Sequence, residues 1–274
     1  MKATCTLCPH RCAIADGQTG LCRARINRGG RIKCGNYGKI TALALDPIEK
    51  KPLRRFYPGS HILSVGSYGC NLRCPFCQNH EIAMAGGRMN TTFLSPEDLV
   101  QEAVSLVPRG NIGLAYTYNE PLIGYEYVRD CSALARQRGL KNVLVTNGYL
   151  NPEPFNALLP LIDAINIDLK GFTEEYYAWV GGDLTTVQRS IALAAAHCHV
   201  EVTTLVLPGK NDDPTQMRAL AAWLASVDPG IPLHITRFFP RYRVQDLPPT
   251  PIETVVTLAE TARGFLQHVY AVNC

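Results

Sequence analysis

No stretch of this chain approaches the ~18 consecutive apolar residues that a membrane-spanning helix requires. The opening residues, MKATCTLCPHRC, also lack the apolar run of a secretory leader. The expectation is therefore a cytoplasmic protein with no membrane partner. Excess charge is scarce as well: 27 Lys and Arg against 23 Asp and Glu leave a formal +4, too little for the electrostatic footprint of a nucleic-acid binder. No internal repeat is visible, which excludes a solenoid. With 46% hydrophobic and 18% charged residues, the balance is that of a globular chain, and 274 residues suffice for one large core with a small appendage.

What the chain has in quantity is cysteine. Eleven cysteines in a reducing compartment are poor disulfide candidates, so those that cluster read as metal ligands. Cys5, Cys8, Cys12 and Cys22 form one set, spaced C-x2-C-x3-C-x9-C, and Cys70, Cys74 and Cys77 form another, spaced C-x3-C-x2-C. Cys34, Cys131, Cys198 and Cys274 are scattered.

Residues 1–40 are rich in Cys, Gly and Arg, with turn signals such as ADGQTG and NRGGR, and are expected to fold around a metal rather than a core. Residues 41–60 read as a connector. From residue 61 to 274 short β-rich runs alternate with helical patterns. HILSVGS, NIGLAYTY, NVLVTN, DAINIDL, VEVTTLVLP and PLHITRF read as six strands. Ser95 stands as an N-cap for the helix that follows it, and Gly139 as the C-terminal stop of another. Repeated βα units predict an α/β fold with a parallel sheet, either closed as a barrel or open.

In such a sheet the functional loops leave the C-terminal strand ends. There stand the three cysteines after the first strand, Asn119 and Glu120 after the second, Thr146 and Asn147 after the third, Asp168 and Lys170 after the fourth, and Arg237 after the sixth. A structural zinc site wants four ligands, and so does a fully ligated [4Fe-4S] cluster. Three thiolates leave one iron of a cubane open to a small molecule.

The stretch CNLRCPFCQN resembles the cluster loop of radical S-adenosylmethionine (SAM) enzymes. That resemblance implies a partial (β/α)6 barrel, a [4Fe-4S] cluster on Cys70, Cys74 and Cys77, and SAM bound to the open iron. Reductive cleavage of SAM to a 5′-deoxyadenosyl radical would then abstract hydrogen from a substrate. YTYNEP stands where the superfamily has a Gly-Gly-Glu-Pro type motif, and so assigns Asn119 and Glu120 to the SAM ammonium. Tyr118 and Asn119 replace the glycines of that motif. VTNG resembles the Thr-Asn-Gly turn of glycyl-radical activating enzymes, marking Thr146 and Asn147. NIDLKGF resembles their Asp-Leu-Lys segment, which places Lys170 either against the SAM carboxylate or in a surface pair with Asp168. Asn79 matches a ribose-contacting position, and Phe76 is expected to lie against the adenine. Val145 stands where those activases carry an Asp that helps hold a cation. Their histidine near the sixth strand has no clean counterpart; His234 reads as a satisfied strand histidine, and Arg237 and Arg241 either as binders of an acidic substrate or as a solvated rim.

From CTLCPHRC through DPIEKKPL and FYPGS to AYTYNEP, the whole chain resembles the radical SAM component of the AmmeMemoRadiSam system, a relative of pyruvate formate-lyase activases. Memo-like and AMMECR-type proteins are the partners that this implies, with a flavodoxin- or ferredoxin-like electron donor. The N-terminal set would bind zinc or an auxiliary iron-sulfur cluster. Two alternatives accompany the reading: an activase acting on a protein glycine, and a non-enzymatic module in which both cysteine sets hold structural zinc.

Overall fold

The computed structural model describes residues 1–274. Eight strands build its main sheet: β1 (Ala42–Pro47), β2 (His61–Gly66), β3 (Asn111–Tyr116), β4 (Lys141–Thr146), β5 (Ala164–Asp168), β6 (His199–Val206), β7 (Leu233–Arg237) and β8 (Val269–Val272). They lie side by side in chain order, parallel throughout except for β1, which pairs antiparallel with β2. Residues such as Ile62, Leu63, Ser64 and Val65 are buried in succession, as expected of strands covered on both faces. The first and last strands do not pair. Residues following β1 (Glu49, Lys50) and residues at the end of β8 (Val272, Asn273) nevertheless line one cavity. The sheet is thus curled into an open, partial barrel.

Two strands exceed the six expected. β8 comprises four residues on an edge, too short and too exposed to announce itself as an apolar run. β1 arises within the stretch 41–60, where Asp46 and Pro47 interrupt the β pattern. Outside the sheet pack α1 (Pro96–Ser105), α2 (Tyr125–Gln137), α3 (Pro152–Leu158), α4 (Glu174–Val180), α5 (Leu184–Ala195), α6 (Pro214–Val227) and α7 (Ile252–Arg263). Ser95 caps α1 in a reciprocal box with Asp98, and Gly139 follows α2 at φ 73°, both as the sequence indicates. Helix α4 was not apparent in the sequence pattern.

After β1 the chain turns inward and fills the lower half of the barrel. Ile48, Leu53 and Phe56 pack against Ile62, Ala115, Val143 and Ala164, of which Ile62, Val143 and Ala164 lie in the first halves of their strands. Polar groups anchor this plug. Glu201, fully buried on β6, accepts the backbone N–H groups of Arg54 and Arg55 at 3.0 and 2.8 Å and is bonded to His199 and His234 at 2.9 and 2.6 Å. Asn166 on β5 donates to the Pro52 carbonyl. With the lower half filled, the cavity of the barrel opens at the C-terminal strand ends.

Residues 1–40 form small antiparallel pairs, Lys2–Thr4 with Ala13–Ala15 and Arg25–Arg28 with Arg31–Cys34, beside the C-terminal ends of the strands. Gly29 and Gly30, both at positive φ, make the second turn, which suits the twist of a two-residue hairpin. This segment is fastened by Arg25, whose guanidinium donates to Glu126 of α2 at 2.8 Å, and by Asn151, which donates to Thr6 and Leu7 carbonyls.

Candidate functional site

A cavity of about 500 Å³ opens at the C-terminal ends of the strands, within the range of small-molecule sites. Its wall includes every residue that the sequence assigned to the three-cysteine chemistry: Cys70, Cys74, Phe76, Cys77, Asn79, Asn119, Glu120, Thr146, Asn147, Asp168 and Lys170. They come from four successive strand ends, brought together by the parallel order of β2 to β5.

The cysteine loop fits an iron-sulfur group by the chemistry of its donors. Cys74 is buried and Cys70 and Cys77 nearly so, and burial pushes all three thiols up, Cys74 to about 11. Thiolates held there without a compensating cation are costly, whereas bound iron supplies that charge. The Cys70 sulfur accepts from the Leu72 N–H at 3.3 Å and from Asn147 Nδ2 at 3.6 Å, contacts of the kind that tune cluster sulfurs.

Glu120 joins two of the loops. Its carboxylate accepts the Thr146 hydroxyl at 2.7 Å, the Asn147 N–H at 2.8 Å and the Leu122 N–H at 3.0 Å. Burial dominates those donors and raises its pKa to about 7. A cationic ligand in the cavity would favour its ionised form.

Lys170 and Asp168 pair at 2.7 Å, and not as a surface pair: the lysine lies in the cavity wall with its side chain only 18% exposed. Burial opposes its charge, yet the Asp168 carboxylate and the Cys74 sulfur outweigh that and raise its pKa above the ordinary lysine value.

Other assigned side chains are occupied in holding the loops. Asn119 accepts from the Ser67 N–H at 2.9 Å and donates to the Gly69 carbonyl at 3.1 Å, which fixes the approach to Cys70. Asn147 donates to Asn71 Oδ1 at 2.9 Å and accepts from Tyr149 N–H. Asn79 donates to the Tyr118 carbonyl at 2.7 Å. Phe76 is 3% exposed and packs against Trp179, ring centroids 5.4 Å apart, as well as lining the cavity. Val145 lines the wall with no carboxylate. His234 is buried against Glu201 below the site, as a satisfied strand histidine. Of the two arginines weighed for an acidic substrate, Arg237 reaches the cavity wall and Arg241 stands outside it, beside His80 and Tyr242.

The sequence reading missed a polar cluster at the wall. Tyr118 donates to Asp46 at 2.7 Å, and Lys51 pairs with the same carboxylate at 2.9 Å while lying 4.8 Å from the centre of the Tyr118 ring. Although burial opposes its charge, these donors hold Asp46 well below the usual carboxylate range. Tyr118 has φ 71°, a left-handed conformation that glycine adopts freely and that costs other residues about 1–2 kcal/mol. Tyrosine is held there by its bond to Asp46. The only sequence signal was the run DPIEKKPL, whose charges sit between two β-rich stretches.

The chain is similar to known proteins. Over 99% of this chain and 81% of its own length, an uncharacterized protein of Methanocaldococcus jannaschii is 39% identical. The pyruvate formate-lyase 1-activating enzyme of Escherichia coli is 28% identical over 152 residues, which span 53% of this chain and 61% of that enzyme. Streptococcus suis SuiB bound to S-adenosylmethionine has a similar fold at 12% identity, with a TM-score of 0.58 over 78% of this chain and 52% of that one. The sequence model of the radical SAM superfamily matches residues 64–221, which hold the cysteine loop and all the strand-end residues above as far as Lys170. The chain belongs to the radical SAM superfamily.

Proposed function

We propose that this protein is a radical SAM oxidoreductase in which Cys70, Cys74 and Cys77 hold a [4Fe-4S] cluster and the adjoining cavity holds SAM and a substrate. The observation that carries the reading is the convergence of three cysteines, the buried Glu120 carboxylate and the half-buried Lys170 ammonium on a single cavity. When bound and reduced, the cluster supplies the electron that splits the sulfonium bond of SAM and frees a 5′-deoxyadenosyl radical for hydrogen abstraction. Glu120 offers an acceptor for the SAM ammonium, and Lys170 a donor for its carboxylate. Leu72, Phe76, Ala83 and Leu205 give the wall apolar surface that keeps water from a reactive primary carbon. Asn119 and Asn147 hold the loops in register, so positioning rather than acid-base chemistry is the chain's main contribution.

The test is anaerobic reconstitution with iron and sulfide, followed by SAM and a reductant. The parent is expected to release 5′-deoxyadenosine, and a Cys70→Ala, Cys74→Ala, Cys77→Ala variant none. Equal cleavage by both sinks the assignment.

An activase role is the second reading, favoured by the identity to the Escherichia coli activating enzyme. It predicts a glycine-centred EPR signal on a partner protein, whereas a modified small product with no such signal supports a family-specific step. Within this proposal the protein works in the cytoplasm, in the AmmeMemoRadiSam setting, with Memo-like and AMMECR-type proteins as partners and a flavodoxin- or ferredoxin-like donor.

A further inference from the structure

A second cysteine group lies outside the segment that the superfamily model covers. Cys5, Cys8, Cys12 and Cys22 line one small cavity, and Asn71 lines it with them. Asn71 directly follows Cys70, and its carbonyl is bonded to His10 Nε2 at 2.8 Å, two residues past Cys8. On the other flank of Cys70 stands Gly69, at φ 89°, where a Cβ would lie 2.4 Å from the Cys22 carbonyl oxygen. Both sides of the N-terminal group therefore press against the residues that bracket Cys70. Apolar Leu7, Ile14 and Ile123 close the remainder of the cavity.

Four cysteines on one cavity can hold a single zinc ion or a fully ligated iron-sulfur cluster. Zinc takes four sulfurs at about 2.3 Å, which draws them tightly together. In a cubane, four thiolates leave no iron vacant. What favours the cluster is position, since the group abuts the residues on either side of Cys70.

We propose that Cys5, Cys8, Cys12 and Cys22 hold a fully ligated [4Fe-4S] cluster that passes electrons to the Cys70, Cys74 and Cys77 site across Asn71. One electron enters from a low-potential donor of the ferredoxin or flavodoxin class and reduces the N-terminal cluster. That cluster is reoxidised as the cluster at the active loop is reduced. No bond forms or breaks in this transfer, and no proton moves.

The inference rests on an iron-sulfur assignment for the active loop, and the two fail separately. After anaerobic reconstitution of the full chain, the Cys70→Ala, Cys74→Ala, Cys77→Ala variant is expected to keep about four irons and lose about four. In the reduced parent, magnetic coupling broadens the EPR spectrum beyond the sum of the isolated clusters. The companion variant is Cys12→Ser, chosen because Cys12 is the least buried of the four. It is expected to remove that broadening and leave the active-loop signal. If the triple variant carries zinc or no metal while the parent carries about four irons, the second cluster is refuted and the first stands. If the parent and the triple variant hold equal iron, the assignment at the active loop is the one that falls. Two clusters with no magnetic coupling overturn the electron path.

Discussion

The side-chain amide of Asn147, at the end of β4, donates to the Cys70 sulfur at 3.6 Å and to Asn71 Oδ1 at 2.9 Å. One strand end thus orients the first cysteine of a loop that leaves another. Asn147→Ala is expected to leave iron uptake intact, shift the EPR signal of the reduced protein and weaken SAM binding roughly tenfold, about 1.4 kcal/mol. Equilibrium binding and EPR check this, and an unchanged signal with unchanged affinity removes the role.

Glu120 makes stability depend on pH. Its pKa is about 7 in the fold against an ordinary 4.5, so the folded chain binds the extra proton between those values. The corresponding stability is fully present below pH 4.5 and is lost as pH rises through 7. For the metal-free protein, denaturant titrations should show the parent losing about 3 kcal/mol relative to Glu120→Gln over that window. A difference independent of pH would contradict the assignment.

Glu201 acts in the opposite sense. Burial raises its pKa, but bonds from His199, His234 and the backbone of Arg55 and Arg54 outweigh this and bring it down to about 2. That stability is present above the ordinary 4.5 and disappears as pH falls through about 2. Glu201→Ala leaves two histidines and two backbone donors without their partner, and is expected to cost about 3–5 kcal/mol in urea unfolding. The substitution lies below the cavity, so a fully stable variant would show that the plug is held by its apolar contacts alone.

Lys170 stands close enough to the cysteine loop that Cys74 is among the groups raising its pKa. Removing that charge in Lys170→Met should make the bound cluster harder to reduce, seen as a more negative midpoint in an EPR-monitored redox titration. Loss of a charged donor should also weaken SAM binding by roughly tenfold or more. Arg at this position should restore the potential in part. An unshifted midpoint would place the lysine outside the electrostatics of the site.

The chemistry was legible in the sequence because it depends on local spacing. Three cysteines within eight residues must share one loop whatever the rest of the fold does, and β-rich runs followed by helical patterns imply parallel strands whose ends face one way. The positions Glu120, Thr146, Asp168 and Lys170 follow from that regularity, and all four reach the cavity wall.

Contacts between residues far apart in the chain were not legible. Nothing in DPIEKKPLRRF announces that it folds inside the barrel onto Glu201, roughly 150 residues later, or that Asp46 and Lys51 anchor Tyr118 at φ 71°. Nor does the spacing of Cys5 to Cys22 place them against Gly69 and Asn71. Chain-local spacing by itself determined which cysteines share one loop and the order of the strands. Which side chains are free to meet a ligand, and which are consumed in holding loops, was decided only by the tertiary structure. A buried polar group must be satisfied by whatever packing brings next to it, and that neighbour is not written beside it in the chain.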